Sequence, residues 1–143
     1  MEKKNVWVYS SSMNTEHKTK VLMLDDERFL LEMYKIAFEK GGYEVSMFYD
    51  VDGALKALRG GYDPDVILFD ITMPEGRSGY EFVETVLQEG LAKHSVRIAL
   101  TNEGQDGPKA RMAELGTHAH LLKAEYIPSE LVTAVNDILK ERK

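Results

Sequence analysis

The feature that most constrains this chain is a set of short, continuous apolar runs, each of which ends in polar residues. Three of them cover residues 21–24, 66–69 and 96–100. A strand with one face in solvent alternates apolar and polar residues, whereas a strand covered on both faces is apolar throughout. The runs therefore predict central strands of a parallel sheet that lies between two layers of helices.

Segments with helical spacing and two further strands lie around these runs. The predicted strands are residues 43–48 and 119–122, and the predicted helices are 27–40, 50 or 52 to 59, 79–89, 107–115 and about 128–141. Together they form five β-α units. Right-handed crossovers place helices on both faces of such a sheet, so we expect a three-layer, doubly wound α/β domain with a five-stranded parallel sheet.

The apolar residues of three helices predict which sides face the sheet. In the first helix the predicted face comprises Phe29, Leu30, Met33, Tyr34, Ala37 and Phe38. In the helix at 79–89 it comprises Phe82, Val83, Val86 and Leu87. In the last helix it comprises Leu131, Val132, Val135, Ile138 and Leu139.

The composition excludes several classes of function. The 143 residues suffice for one domain, and none of them is Cys, which rules out disulfides, thiolate metal sites and cysteine nucleophiles. The 18 Lys and Arg residues stand against 24 Asp and Glu, a net charge of −6, whereas binding to nucleic acid phosphates requires the opposite balance. No apolar run approaches the ~18 residues of a membrane span. We therefore expect a cytoplasmic protein without direct contact with nucleic acid or membrane.

Residues 1–18 differ from the rest of the chain. A strand-like apolar quartet at residues 6–9, which includes the single Trp, is followed by a polar run to Lys18. The segment is either a loose tail or an extra edge strand. Residues 19–143 form the predicted domain.

Chemically active residues follow four of the predicted strands. Asp25 and Asp26 follow the first, Asp70 the third, Thr101 the fourth and Lys123 the fifth. Because ligands bind at the carboxyl edge of an open parallel sheet, we expect these side chains to converge there. Each has an alternative role as a helix cap, a turn residue or a solvated side chain, but those roles do not call for a lysine together with three carboxylates.

Three neighbouring carboxylates repel one another and raise each other's pKa. A hard divalent cation such as Mg²⁺ resolves the conflict, because it takes oxygen ligands and usually binds one or two carboxylates together with a phosphate. One carboxylate could then attack a phosphoryl donor and form an aspartyl phosphate. The metal and the lysine would neutralise charge on the transferred oxygens, and the hydroxyl would donate a hydrogen bond to one of them.

With these residues, the chain resembles the receiver domain of two-component response regulators from about Lys20 to its C-terminus. The motifs that carry the resemblance are Asp25-Asp26, Asp70-Ile71-Thr72-Met73-Pro74, Thr101 and Lys123, in the order and spacing of that family. The resemblance implies a flavodoxin-like fold with the strand order 2-1-3-4-5.

The resemblance also implies a metal site and a phosphorylation site. Asp70 would be the phospho-acceptor and a Mg²⁺ ligand, Asp26 a second direct ligand, and Asp25 their partner. The backbone carbonyl of Thr72 would complete the metal site. Lys123 would pair with the phosphoryl group.

A two-state switch is the further implication. Thr101 would move to meet the phosphoryl group, the side chain of His120 would enter the vacated space, and the surface around residues 101–122 would change. Thr72 and Glu103 occupy the positions that tune how long the phosphoryl group survives. In this family the position of His120 often holds an aromatic ring; a histidine there can titrate near neutral pH, or it can be an ordinary half-exposed strand residue.

Two other departures from the family pattern concern loops. Ala124 follows Lys123 where Pro is usual, which affects the shape of the last β-α loop. The segment from Met73 to Gly79 is about one residue longer than the common pattern, which could shift the mouth of the site.

The expected function is a phospho-accepting signalling domain and not an enzyme. The partners would be a sensor histidine kinase or phosphotransfer protein upstream, and an effector protein or an effector domain outside this chain downstream, with dimerisation on phosphorylation as a further option. Either the protein is a stand-alone receiver or the chain is part of a longer regulator. The alternatives are a degenerate receiver that only binds other proteins, and a phosphatase of the haloacid dehalogenase type, which would need a second Asp where Thr72 stands.

Overall fold

The structure, a computed structural model, describes residues 18–73, 78–102 and 115–141. Its strands are β1 (Thr19–Leu24), β2 (Tyr43–Phe48), β3 (Val66–Asp70), β4 (Val96–Thr101) and β5 (Ala119–Leu122). Its helices are α1 (Arg28–Lys40), α2 (Val51–Arg59), α3 (Gly79–Glu89) and α4 (Pro128–Glu141), and Lys123–Glu125 form one 3₁₀ turn. The predicted tail or edge strand and the predicted helix at 107–115 lie outside the described residues, except for their last residues.

The five strands form one parallel sheet in the order β2-β1-β3-β4-β5, which confirms the predicted architecture. Its register aligns the carboxyl ends of the inner strands. Leu24 of β1 lies beside Phe69 of β3, and Asp70 lies beside Leu100 of β4. The residues that follow β1 and end β3 and β4 are therefore neighbours at one edge of the sheet.

The continuous apolar strands divide their side chains between two cores. In β1, Leu22 and Leu24 face the core beneath α2 and α3, whereas Val21 and Met23 face the core beneath α1 and α4. All four side chains are buried. Because both faces of the sheet are covered here, residues 21–24 leave no position for a polar side chain, as the apolar run predicted.

Two of the predicted helix faces were partly wrong. In α1 the buried residues are Leu31, Tyr34 and Phe38, so the predicted face omitted Leu31. It also included Met33, which is 39% exposed, and Phe29, which is 79% exposed. At about 100° per residue, Phe29 lies on the opposite side of the helix from Phe38. Leu87 of α3 is 44% exposed because it lies at the margin of the buried stripe, about 140° around the helix from Phe82. The prediction for α4 is confirmed, with Leu131, Val132 and Val135 buried and Ile138 and Leu139 packed at the margin of the core.

Side-chain caps set where α2 and α3 begin. The Asp50 carboxylate accepts a hydrogen bond from the Gly53 backbone N–H at 2.7 Å, which starts α2. Ser78 and Glu81 form a reciprocal capping box at the start of α3. The box satisfies two N–H groups that a helix N-terminus would otherwise leave unpaired, so α3 begins at Gly79, close to the end of β3.

Among the helices of the described ranges, none has both the length and the apolar character needed to cross a bilayer.

Replacement of Phe82 by alanine should remove part of the core beneath α3, because Phe82 is fully buried and its ring contacts that of Phe69 at a centroid distance of 5.9 Å. We expect the free energy of unfolding to fall by about 3–5 kcal/mol. Leu87→Ala on the same helix is the control and should lower it by only about 1 kcal/mol, because about half of this side chain is already exposed. Urea denaturation measures both, and equal losses in the two variants would contradict the assigned helix face.

Candidate functional site at the carboxyl edge of the sheet

Three carboxylates meet where β1 and β3 end. Asp25 and Asp26 follow β1, and Asp70 is the last residue of the neighbouring strand β3. One carboxylate oxygen from each of the three lies within 4.8 Å of the others. The structure thus brings together the acidic residues that the sequence placed at this edge.

Local hydrogen bonds orient two of these carboxylates. Asp25 Oδ1 accepts the Glu27 backbone N–H at 2.9 Å, and Asp70 Oδ1 accepts the Thr72 backbone N–H at 3.1 Å. Each is a turn in which an aspartate bonds to the backbone two residues on, so the turn role considered for Asp70 is present as well. Because one oxygen of each carboxylate is fixed in this way, the other oxygen points to the centre of the site.

Lys123 occupies that centre. Its Nζ lies 2.6 Å from Asp25 Oδ2, 3.3 Å from Asp70 Oδ2 and 3.1 Å from Glu27 Oε2. The ammonium is buried and follows β5 directly, at the start of the 3₁₀ turn. The lysine therefore neutralises part of the carboxylate charge and links the ends of β1, β3 and β5.

Burial changes the acidity of the cluster. Asp25 is 2% exposed and Asp70 is 5% exposed. Removal from water, reinforced by the charge of Asp25, raises the pKa of Asp70 from 3.8 to about 6, although Lys123 opposes the change. Burial likewise raises the pKa of Asp25, against the effect of its bonds to Lys123 and the Glu27 backbone. The paired carboxylates outweigh burial at Lys123 and raise the pKa of its ammonium above its ordinary value.

Thr101 and His120 lie on the strands beside this cluster. Thr101 is the buried last residue of β4 and is in register with Leu122, which immediately precedes Lys123. His120 is half-buried in β5, in register with Ala99. Thr72 is exposed at the mouth of the site, and Glu103 lies outside the described residues. The structure thus places Thr101 at the same edge as the carboxylates.

Gly79, the first residue of α3, was not among the predicted site residues. A Cβ atom at this position would lie 2.4 Å from the Asp70 carbonyl oxygen and 2.7 Å from Ile71 Cα. The Gly79 backbone N–H donates to the Ile71 carbonyl at 3.0 Å. The helix start therefore packs directly against the backbone of Asp70, and only glycine fits there without displacing it.

The sequence also contained no indication of the contact between Glu27 and Lys123. This contact joins residues that are far apart in the chain, and it depends on how far both side chains reach. The Asp25-Asp26-Glu27 run was a visible signal of additional acidity, but nothing in the run paired Glu27 with a residue 96 positions away. In the loop after Lys123, Ala124 is accommodated in the 3₁₀ turn. Part of the longer loop after Asp70, residues 74–77, lies outside the described residues.

The sequence matches the family model described as "Response regulator receiver domain" over residues 21–136. The match covers most of the chain. The protein belongs to the response regulator receiver domain family, which is a family of signalling receivers rather than of catalytic enzymes.

Two similar curated proteins are also response regulators. The chain is 27% identical over 121 residues to the phosphate regulon transcriptional regulatory protein PhoB of Klebsiella pneumoniae, covering 85% of this chain and 52% of that protein. It is 31% identical over 121 residues to the response regulator SaeR of Staphylococcus epidermidis, covering 85% and 50%. The chain thus spans about half the length of these relatives.

Among solved structures, the chemotaxis response regulator CheY4 of Vibrio cholerae is similar over its whole length. The TM-score is 0.76 at 28% sequence identity, and the match covers 85% of this chain and 99% of that one. The flavodoxin-like strand order implied by the sequence resemblance is therefore shared with a chain that consists almost entirely of this fold.

The raised pKa of Asp70 predicts that its charge destabilises the metal-free protein. In the unfolded chain this carboxyl loses its proton near pH 3.8, whereas in the folded protein it keeps the proton to about pH 6. Between these values the folded state holds more protons, so the unfolding free energy falls as the pH rises, and the loss persists at neutral pH. At 1.36 kcal/mol per unit, Asp70→Asn should stabilise the protein at pH 7 by up to about 3 kcal/mol.

Urea denaturation without divalent cations measures this effect. The exposed Asp63→Asn is the control and should leave stability nearly unchanged. The advantage of Asp70→Asn should vanish below about pH 3, where the wild-type carboxyl is protonated in both states. If Asp70→Asn is less stable than the wild type at pH 7, burial and repulsion by Asp25 do not destabilise the Asp70 carboxylate as assigned here.

Proposed function

We propose that the protein accepts a phosphoryl group on Asp70 from a sensor histidine kinase or a phosphotransfer protein, with Mg²⁺ as cofactor. The observation that carries the proposal is the placement of one Asp70 oxygen 3.3 Å from the buried Lys123 ammonium, within a cluster of three carboxylates. A carboxylate beside a fixed cation and a set of metal ligands is suited to nucleophilic attack on phosphorus.

The carboxylates suit Mg²⁺. The ion takes oxygen ligands at about 2.1 Å, so two ligand oxygens on opposite sides of it lie about 4 Å apart. The oxygens of Asp25, Asp26 and Asp70 are within 4.8 Å of one another, which small side-chain rotations or a bridging water would reconcile with that distance. Asp26 and Asp70 would bind the metal directly, with Asp25 beside them and the Thr72 carbonyl completing the set. When bound, the ion supplies positive charge to the transferred oxygens.

The reaction is a displacement at phosphorus. An Asp70 oxygen attacks, its bond to phosphorus forms, and the bond from phosphorus to the donor atom breaks; that atom is a nitrogen in a phosphohistidine and an oxygen in an acyl phosphate. The electron pair of the broken bond stays with the donor: a phosphohistidine leaves as an imidazole that takes up a proton, and an acyl phosphate leaves as a carboxylate. Lys123 balances charge on the transferred oxygens, and Thr101 donates a hydrogen bond to one of them.

The switch follows from the added charge. The phosphoryl group brings about −1.5 to −2 units of charge to the end of β3. Thr101 lies on the adjacent strand and moves to meet it, and His120, one strand further, takes the space that this movement leaves. The surface around residues 101–122 then changes shape. Thr72 and Glu103 set the access of water to the phosphoryl group and thereby its lifetime.

The output lies in another molecule or in a domain outside this chain. PhoB and SaeR, of which the chain spans about half, are named as a transcriptional regulatory protein and a response regulator. The chemotaxis response regulator CheY4, in contrast, is matched over its whole length. The acidic composition argues against direct binding of nucleic acid by this domain. We place the reaction in the cytoplasm and include dimerisation on phosphorylation among its consequences.

The test is incubation of the full chain with acetyl phosphate and Mg²⁺, followed by intact-protein mass spectrometry. The wild type should gain the mass of one phosphoryl group, Asp70→Asn should gain none, and the exposed control Asp63→Asn should behave as the wild type. Chelation of Mg²⁺ should abolish labelling, because charge on the transferred oxygens is then poorly balanced. Wild-type labelling of Asp70→Asn, or labelling that is unchanged by chelation, would overturn the proposal.

A further inference from the structure

Glu27 has no role in the reaction proposed above, yet its side chain contacts the same lysine. It stands at the N-cap of α1, a position where Ser, Thr, Asp or Asn usually accepts a bond from the first N–H groups of the helix. The Glu27 carboxylate accepts no such bond. It instead accepts a hydrogen bond from Lys123 Nζ at 3.1 Å. The capping position is therefore used to hold the lysine.

An ammonium has three N–H donors, and three carboxylates surround the one at Lys123. The three differ in exposure. The side chains of Asp25 and Asp70 are almost fully buried, whereas that of Glu27 is 52% exposed. Of the three contacts, only the hydrogen bond to Glu27 can therefore be exchanged readily for bonds to water.

We propose that Glu27 is a releasable restraint on Lys123 that slows phosphorylation of Asp70. The inference rests on the function proposed above and adds a positioning residue that acts through the lysine. A phosphoryl group approaching Asp70 brings further oxygens to Lys123, and the ammonium must redirect a donor towards them. Release of Asp25 would leave a buried carboxylate without its partner, which is strongly unfavourable. Release of Glu27 leaves a carboxylate that water can solvate.

The backbone keeps this restraint in place. The Glu27 N–H donates to Asp25 Oδ1 at 2.9 Å, so the two residues that bind Lys123 from the β1 side are fixed relative to each other. The restraint is weak because half of the Glu27 side chain is in water, and exposed ion pairs contribute little. A modest effect on the phosphorylation rate, without an effect on folding, is therefore expected.

The experiment measures the rate at which acetyl phosphate and Mg²⁺ label Asp70 in the full chain. Glu27→Gln should be labelled about twofold to fivefold faster than the wild type, as expected for loss of a half-exposed ion pair. Glu32→Gln removes the same charge from an exposed position of the same helix and should label at the wild-type rate. Urea denaturation of each variant checks that it is folded.

Two further measurements separate a restraint from a general effect of charge or structure. Added salt should narrow the difference between wild type and Glu27→Gln, because it screens an exposed ion pair and would leave a packing effect unchanged. Glu27→Asp keeps the charge on a shorter side chain and should also be labelled faster than the wild type. A wild-type rate in Glu27→Asp together with a faster Glu27→Gln would assign the effect to charge alone and overturn the restraint.

The remaining outcomes distinguish this inference from the proposed function. If Asp70 is labelled at the same rate in the wild type and in Glu27→Gln, the restraint does not exist and the proposed function stands. If the wild type is not labelled at Asp70, the proposed function is wrong and the restraint falls with it.

Discussion

The site depends on one buried ammonium among carboxylates. Lys123 contacts Asp25, Asp70 and Glu27, which reach it from the ends of different elements. Asp26 adds a fourth carboxylate, with an oxygen within 4.8 Å of oxygens of Asp25 and Asp70, so the cluster keeps an excess of negative charge when all four are ionised. Lys123 offsets part of the repulsion within the cluster, and the remaining negative charge is what the proposed Mg²⁺ ion would neutralise.

The fold supports this arrangement by anchoring the strands that lead to the carboxyl edge of the sheet. The apolar runs of these strands are buried on both faces of the sheet, which fixes where the residues that follow them lie. Gly79 lets α3 begin directly against the backbone of Asp70. Asp70 thus sits between a packed helix start and a buried lysine, whereas Glu27 and Thr72 are exposed. The contacts of the proposed acceptor are therefore buried, and the contact of Lys123 with Glu27 is half-exposed.

Much of this could be predicted from the sequence, because the relevant signals are local. The apolar runs predicted strands buried on both faces, and the polar residues after them predicted which side chains would meet. The features that could not be predicted depend on approach in three dimensions. The reach of Glu27 to Lys123 and the close contact at Gly79 leave no periodic signal in the chain.

Helix faces were predicted less well for a related reason. Phe29 and Leu87 are apolar and adjacent in spacing to core residues, but each lies beyond the stripe that meets the sheet. Hydrophobicity alone does not mark that boundary, because folded proteins expose many apolar side chains. The sequence interpretation also required a metal to relieve carboxylate repulsion, whereas in the structure Lys123 already relieves part of it.

The measurement that tests the central role of this ammonium most directly is the unfolding free energy of Lys123→Met in the absence of divalent cations. At neutral pH the variant should be less stable than the wild type by about 3–5 kcal/mol, because its buried carboxylates lose their partner. The difference should shrink at acidic pH, where those carboxylates bind protons. A Lys123→Met protein as stable as the wild type at neutral pH would contradict the account.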